Sequence, residues 1–224
     1  AALARMAATV SARHRDWMPS VTAHFSTGLK HGSLSSNSFA LLEIAVKPWF
    51  DEASVRDLVS LLAESTKISH QRSAWRILAS TSGATPEPRC TTSLRSALSV
   101  ASLADLPLLL QAMAAQPAPE LDATLKEFAS DEKRPLSLRL KALNAATRPD
   151  APLAAEACQM LLRILTEQNS TPACVEAARI LARCRETMLG ALRDPAIDPS
   201  GVAAIAISGQ MHGVLLVDRC LKPV

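Results

Sequence analysis

Apolar residues recur at helical spacing through residues 1 to about 186, in short runs separated by turn-forming residues. The clearest run is 51–64, where Val55, Leu58, Leu61 and Leu62 fall on one face of a helix. Pro48 closes the segment before it, and Asp51 or Ser54 is placed to cap its start. The next run, 69–80, turns Ala74, Ile77 and Leu78 inward and Gln71, Arg72 and Arg76 outward. Residues 81–88 contain Gly83, Pro86 and Pro88 and read as a loop. Helices are expected over 103–115, 120–130, 136–146, 152–167 and 173–185. They are separated by 116–119, the charged turn 131–135, Pro149 and the turn 169–172. Pro152 suits a first-turn position.

Three of these helices carry related strings: Gln71 to Ala79 (QRSAWRILA), Leu138 to Ala145 (LRLKALNA) and Val175 to Ala182 (VEAARILA). Ala142 and Ala178 are 36 residues apart, and Ala79 and Ala182 are 103 apart, about three intervals of 34. A helix pair repeated at that period cannot bury its apolar face alone and must stack on its neighbours. Small Ala side chains at the recurring positions let neighbouring helices approach closely. Residues 41–185 resemble HEAT-type helical repeats. The resemblance implies a stack of short antiparallel helices, a scaffold without catalysis, and a protein partner held on the concave face.

The pattern changes near 188–199, where Asp194-Pro195 and Asp198-Pro199-Ser200 signal turns. Beyond them, 202–208 is short and apolar and reads as a buried strand; 213–218 reads as a second. The connection is Ser208-Gly209-Gln210-Met211-His212-Gly213. This string and its flanking strands resemble the N-terminal domain of FGGY-type carbohydrate kinases, xylulokinases in particular. Leu221-Lys222-Pro223 is similar to the run that continues that family's motif. The resemblance covers about residues 187–224, one sixth of the chain.

That likeness divides the chain into a HEAT-like helical region, 1–186, and a truncated kinase-like segment, 187–224. The expected fold is therefore mainly α. A helical-repeat-like stack precedes a short β-strand pair of the actin-like, RNase H-like kinase type. The family implies sugar binding by Met211 and His212, with Gln210, Gly209 and Gly213 supporting them. His212 can hydrogen-bond a sugar hydroxyl, Met211 can pack on the apolar face of the sugar, and two glycines let the backbone turn sharply near a ligand. In the full-length family, ATP and Mg²⁺ serve phosphorylation of a ketopentose. Residues 1–200 hold no Asp-x-Gly-Thr phosphate loop, and the family's catalytic Asp and glycine-rich nucleotide segments lie downstream of the motif. This chain is thus expected to be a fragment or a fusion, inactive as a kinase by itself.

Composition narrows the remaining classes. Lys plus Arg is 24 and Asp plus Glu is 21, a net +3 without any basic run, which argues against nucleic acid. No apolar run reaches the roughly 18 residues of a membrane span, since Asp105 and Pro107 break the longest. Cys90, Cys158, Cys174, Cys184 and Cys220 show no CxxC spacing and do not pair with the five His at ligand spacing. Free thiols in a reducing, cytoplasmic setting and no metal are expected. Trp17, Trp49 and Trp75 read as core anchors, and no Ser/His/Asp or Cys/His constellation stands out.

Overall fold

The computed structural model describes residues 2–81, 87–147, 155–166, 170–192, 205–207 and 214–216. It is mainly helical, with eleven α-helices among the described residues. These are α1 (Ala2–Ser11), α2 (Met18–His31), α3 (Ser36–Val46), α4 (Ala53–Ala63), α5 (Ile68–Ser80) and α6 (Pro88–Val100). They continue as α7 (Leu106–Ala115), α8 (Pro119–Ser130), α9 (Leu136–Ala146), α10 (Ala155–Thr166) and α11 (Thr171–Leu192). Prolines open these helices more than they stop them. Pro19, Pro88 and Pro107 stand in the first turns of α2, α6 and α7, where the missing N–H costs no helical hydrogen bond.

The chain forms two compact units, 1–125 and 126–224, and the boundary falls inside α8. In the first unit, α2, α4 and α6 contact one another in succession, as do α1, α3, α5 and α7. The result is two layers, with α4–α5 and α6–α7 packed as hairpins between them. The helices α2, α4 and α6 begin at Met18, Ala53 and Pro88, 35 residues apart each time. The turns 32–35, 64–67 and 101–105 are too short for anything but reversal of direction. They therefore lie along one edge of the unit.

The core follows the helical period. Val55, Leu58, Val59 and Leu62 of α4 are buried, as are Ala74, Trp75, Ile77 and Leu78 of α5. Leu61, expected on the same stripe, is only half-buried. Leu106, Leu109, Leu110, Ala112 and Met113 of α7 complete this layer, and Ala74 and Ala112 keep α5 and α7 close. Burying a Leu side chain contributes about 2 kcal/mol, so the stripe of each helix outweighs its weak intrinsic stability.

α6 escaped the sequence pattern because its apolar residues are diluted. Cys90, Leu94, Ala97 and Leu98, joined by Thr91, carry its buried stripe, amid Thr92, Ser93, Ser96 and Ser99. Gly28 is a buried residue of α2. A Cβ there would come 2.6 Å from Leu34 Cδ2, so the glycine makes room for the chain returning as α3. Gly32 does end α2, at φ +65°, and its N–H reaches the Leu29 carbonyl at 3.2 Å.

In the second unit, α9 and α10 each pack on α11. Leu140, Ala142 and Leu143 of α9, Leu161 and Ile164 of α10, and Ala177, Ile180 and Leu181 of α11 are buried. Arg139 Nε donates to the Ala129 carbonyl at 2.8 Å, capping the end of α8. The helix expected to stop at 185 instead continues through Glu186 and Thr187 to Leu192. Further on, β1 (Ile205–Ile207) pairs antiparallel with β2 (Val214–Leu216), Ile205 opposite Leu216 and Ile207 opposite Val214. The longer strands expected over 202–208 and 213–218, as part of a kinase-type domain, are not shown. Three residues on each side pair only with each other among the described residues.

Candidate interaction surface

The sequence-derived sugar residues Gly209, Gln210, Met211, His212 and Gly213 lie outside the described residues, as does Cys220. Among the described residues no group of three or more His, Cys, Asp or Glu is arranged to hold a metal. No described helix is long and apolar enough to cross a membrane. None of the described thiols is in a disulfide: Cys90 is buried, and Cys158, Cys174 and Cys184 are half-buried. Burial pushes the Cys90 thiol up to about 12, aided by Glu64 and Glu87, so it stays protonated and inert at neutral pH.

Of the three tryptophans, only Trp75 is a core anchor, 1% exposed. Trp17 is exposed and stacks on His14 with centroids 4.3 Å apart. Trp49 is half-buried, with the Arg15 guanidinium 5.8 Å from its ring.

The first unit is laced by polar pairs that recur at one-repeat spacing. Arg76 on α5 reaches Glu43 on α3 at 3.3 Å, 33 residues away. Arg72, at the start of α5, grips Asp105 with Nε at 2.6 Å and Nη2 at 3.1 Å, also 33 residues away. Arg56 on α4 reaches Glu87 at 3.2 Å, 31 residues on. Arg15 pairs with Asp51 and Glu52, 36 and 37 residues on. Arg76 and Glu43 join two helices directly, and the other pairs join α5, α4 and the 3₁₀ turn 15–17 to the turns that precede α7, α6 and α4. Sequence reading put Arg72 and Arg76 on the outward face, where they are, and took Asp105 as an interruption of an apolar run. The signal it missed was the shared separation of 33 between oppositely charged residues.

The turn edge is built in the same periodic way. Ser65 organises the α4–α5 turn: its hydroxyl meets His70 Nδ1 at 2.8 Å and accepts from Lys67 N–H at 3.2 Å, while its carbonyl accepts from Gln71 at 2.8 Å. His70 is buried against Phe39, ring centroids 4.8 Å apart. At the α6–α7 turn, Asp105 also accepts from Ser102 at 2.6 Å. Hydrogen bonds from Arg72 and then Ser102 hold the Asp105 carboxyl below its ordinary 3.8, against the opposing effect of burial. Burial and the Lys67 charge hold His70 below its ordinary 6.5.

Both shifts make the first unit acid-sensitive. Below pH 6.5 the unfolded state takes up a proton that folded His70 resists, so stability falls. Stability from Asp105 is present above pH 3.8 and is lost as pH drops through its lower folded value. Urea midpoints measured from pH 8 to pH 3 are expected to fall in these two ranges. His70→Asn flattens the upper decline and Asp105→Asn the lower; an unchanged profile in either variant removes that residue from the account.

Two open grooves complete the surface. In the first unit a cavity of about 450 Å³ lies among α1, α2 and α3, lined by Ser11, Val21, His24, Phe25 and Leu41 among others. In the second a cavity of about 700 Å³ is bordered by α8, α9 and α10, where Met160 and Ile164 alternate with Lys126, Arg163 and Glu156. The first groove is almost wholly apolar, and only the second sets an apolar floor among charges of both signs. No family model, curated protein or solved structure matches this chain.

Proposed function

We propose that the chain is a non-catalytic helical-repeat scaffold, of the HEAT-like kind, that binds a protein partner. The observation that carries this reading is the ladder of charged pairs at 31–37-residue spacing in the first unit. It stiffens a stack of equivalent helix pairs and leaves their surfaces pre-organised for a partner, so binding spends little on ordering the scaffold. A second reading applies to 187–224. The string Ser208 to Gly213 supports descent of this segment from an FGGY-type, xylulokinase-like sugar kinase, whose full-length form uses ATP and Mg²⁺. On this reading Met211 and His212 are relics of a sugar pocket, inactive without the rest of that domain.

One experiment addresses both. Selection of the full chain against an unbiased displayed-peptide library is expected to yield binders that compete with one another. D-xylulose, with or without ATP and Mg²⁺, is expected to leave its melting temperature unchanged. Failure to select any binder counts against the scaffold. A sugar-dependent rise in melting temperature overturns the view that the kinase-like segment is inert alone.

A further inference from the structure

Apolar residues also recur on the turn edge of the first unit, where none is needed for the core. Leu34, Ile68 and Leu103 stand 34 and 35 residues apart, one on each of the turns or helix starts that share this edge. Leu34 rests half-buried over Gly28. Ile68 is 42% exposed, Leu103 67%, and Val100 beside Leu103 is 80% exposed. The helices they open or lead into, α3, α5 and α7, are neighbours within a layer, and packed helices lie about 8–10 Å apart. A polyproline II segment has about three residues per turn and rises about 3.1 Å per residue, so one turn spans one such step and returns every third side chain to the same face.

The charges on this edge are one-sided. Lys30, His31 and Lys67 are exposed on it, and Lys67 Nζ leans to within 4.0 Å of the Cβ position of Gly32. The carboxylates nearest in sequence are already engaged: Glu64 accepts from Arg89 at 2.8 Å, and Asp105 is held by Arg72. The edge therefore offers an apolar row flanked by free ammonium groups and no free carboxylate among these residues.

Resting on the scaffold reading, we infer that this edge binds an acidic protein segment in the polyproline II conformation with an apolar side chain at every third position. Its apolar side chains seat at Leu34, Ile68 and Leu103 in turn, and the acidic residues between them meet Lys30 and Lys67. The experiment is fluorescence polarisation on the full chain with labelled peptides of three Leu-Glu-Glu repeats, three Leu-Lys-Lys repeats, and a Leu-Glu-Glu-Glu series that breaks the spacing.

The Leu-Glu-Glu peptide is expected to bind best and to weaken with added NaCl, because exposed charges are screened. Ile68→Glu and Leu103→Glu are each expected to weaken it about tenfold, in line with the loss of one apolar contact. Lys67→Glu shifts preference towards the Leu-Lys-Lys peptide. Circular dichroism confirms that each variant is folded, which is expected because all three positions are exposed. Equal binding of the three peptides, or binding indifferent to Ile68→Glu and Leu103→Glu, overturns the assignment. So does sedimentation showing a dimer that Leu103→Glu dissociates, since a second copy then covers the edge. If library-selected binders ignore these substitutions, the edge fails and the scaffold stands; if the library yields none, both fail.

Discussion

Trp75→Ala is expected to lower the melting temperature of the first unit by about 10 °C, because removing a fully buried aromatic costs about 3–5 kcal/mol. Trp75 sits midway along α5 with 1% of its surface exposed, flanked by Ala74, Ile77 and Leu78 in the same buried stripe. α5 is the helix that meets α3, α4 and α7, so a cavity there loosens both layers together. Trp75→Phe, which keeps much of the volume, loses roughly half as much. Trp17→Ala, at an exposed position, is expected to change the midpoint by less than about 2 °C. Thermal unfolding followed at 222 nm separates these outcomes. A Trp75→Ala midpoint no lower than that of Trp17→Ala contradicts the placement of Trp75 at the centre of the stack.

The second large effect is expected at Gln116, a polar residue with 0% exposure at the end of α7. Its Nε2 donates to the Thr81 carbonyl at 2.6 Å and sits 3.3 Å from the Leu78 carbonyl and 3.2 Å from the Thr81 hydroxyl. The Leu78 carbonyl already accepts from the Thr81 N–H, so the bond that this side chain of α7 adds at the terminus of α5 is the one to the Thr81 carbonyl. Gln116→Met keeps the volume and removes the donor, leaving a buried carbonyl without a partner at a cost of about 1–3 kcal/mol. Gln116→Glu sets carboxylate oxygens against the same carbonyls and is expected to cost more. The order wild type, Met, Glu in urea midpoint checks the assignment; a Met variant as stable as the wild type shows that the contact to Thr81 contributes nothing.

The two residues differ in how visible they were before the fold was known. Trp75 lies within an amphipathic string beside three residues whose burial the period foretells, and a core role follows from that position. Trp17 and Trp49 carry the same side chain, but each falls at a short 3₁₀ turn where no period applies, and there the expectation of a core role failed. Gln116 lies in a segment that reads only as a break between helices. Its partners are 35 and 38 residues earlier, and no local pattern connects it to them. The same holds for Asp105, whose meaning depends on Arg72 standing one repeat before it.

The candidate surface was legible only in outline. A mainly helical chain was readable from the recurring strings, because a helix pair with one apolar face has to pack on another. The one-edge alignment of Leu34, Ile68 and Leu103 was not, because each alone is an ordinary apolar residue near a turn. It became a row when α3, α5 and α7, the helices these residues open or lead into, packed side by side. The motif Ser208 to Gly213 is the reverse case: its residues are distinctive in sequence but fall outside the described structure.

By itself, the sequence determined that this protein is built of short helices repeating about every 35 residues. That follows from local chemistry: leucine and alanine at helical spacing, with prolines and turn residues punctuating them. Only the tertiary structure decided which charges pair, where the apolar residues outside the core line up, and that the chain forms two compact units meeting at 125/126 in sequence. Those features depend on atoms a whole repeat apart in the chain, and neighbours at that distance are chosen by packing rather than by any local preference of the backbone.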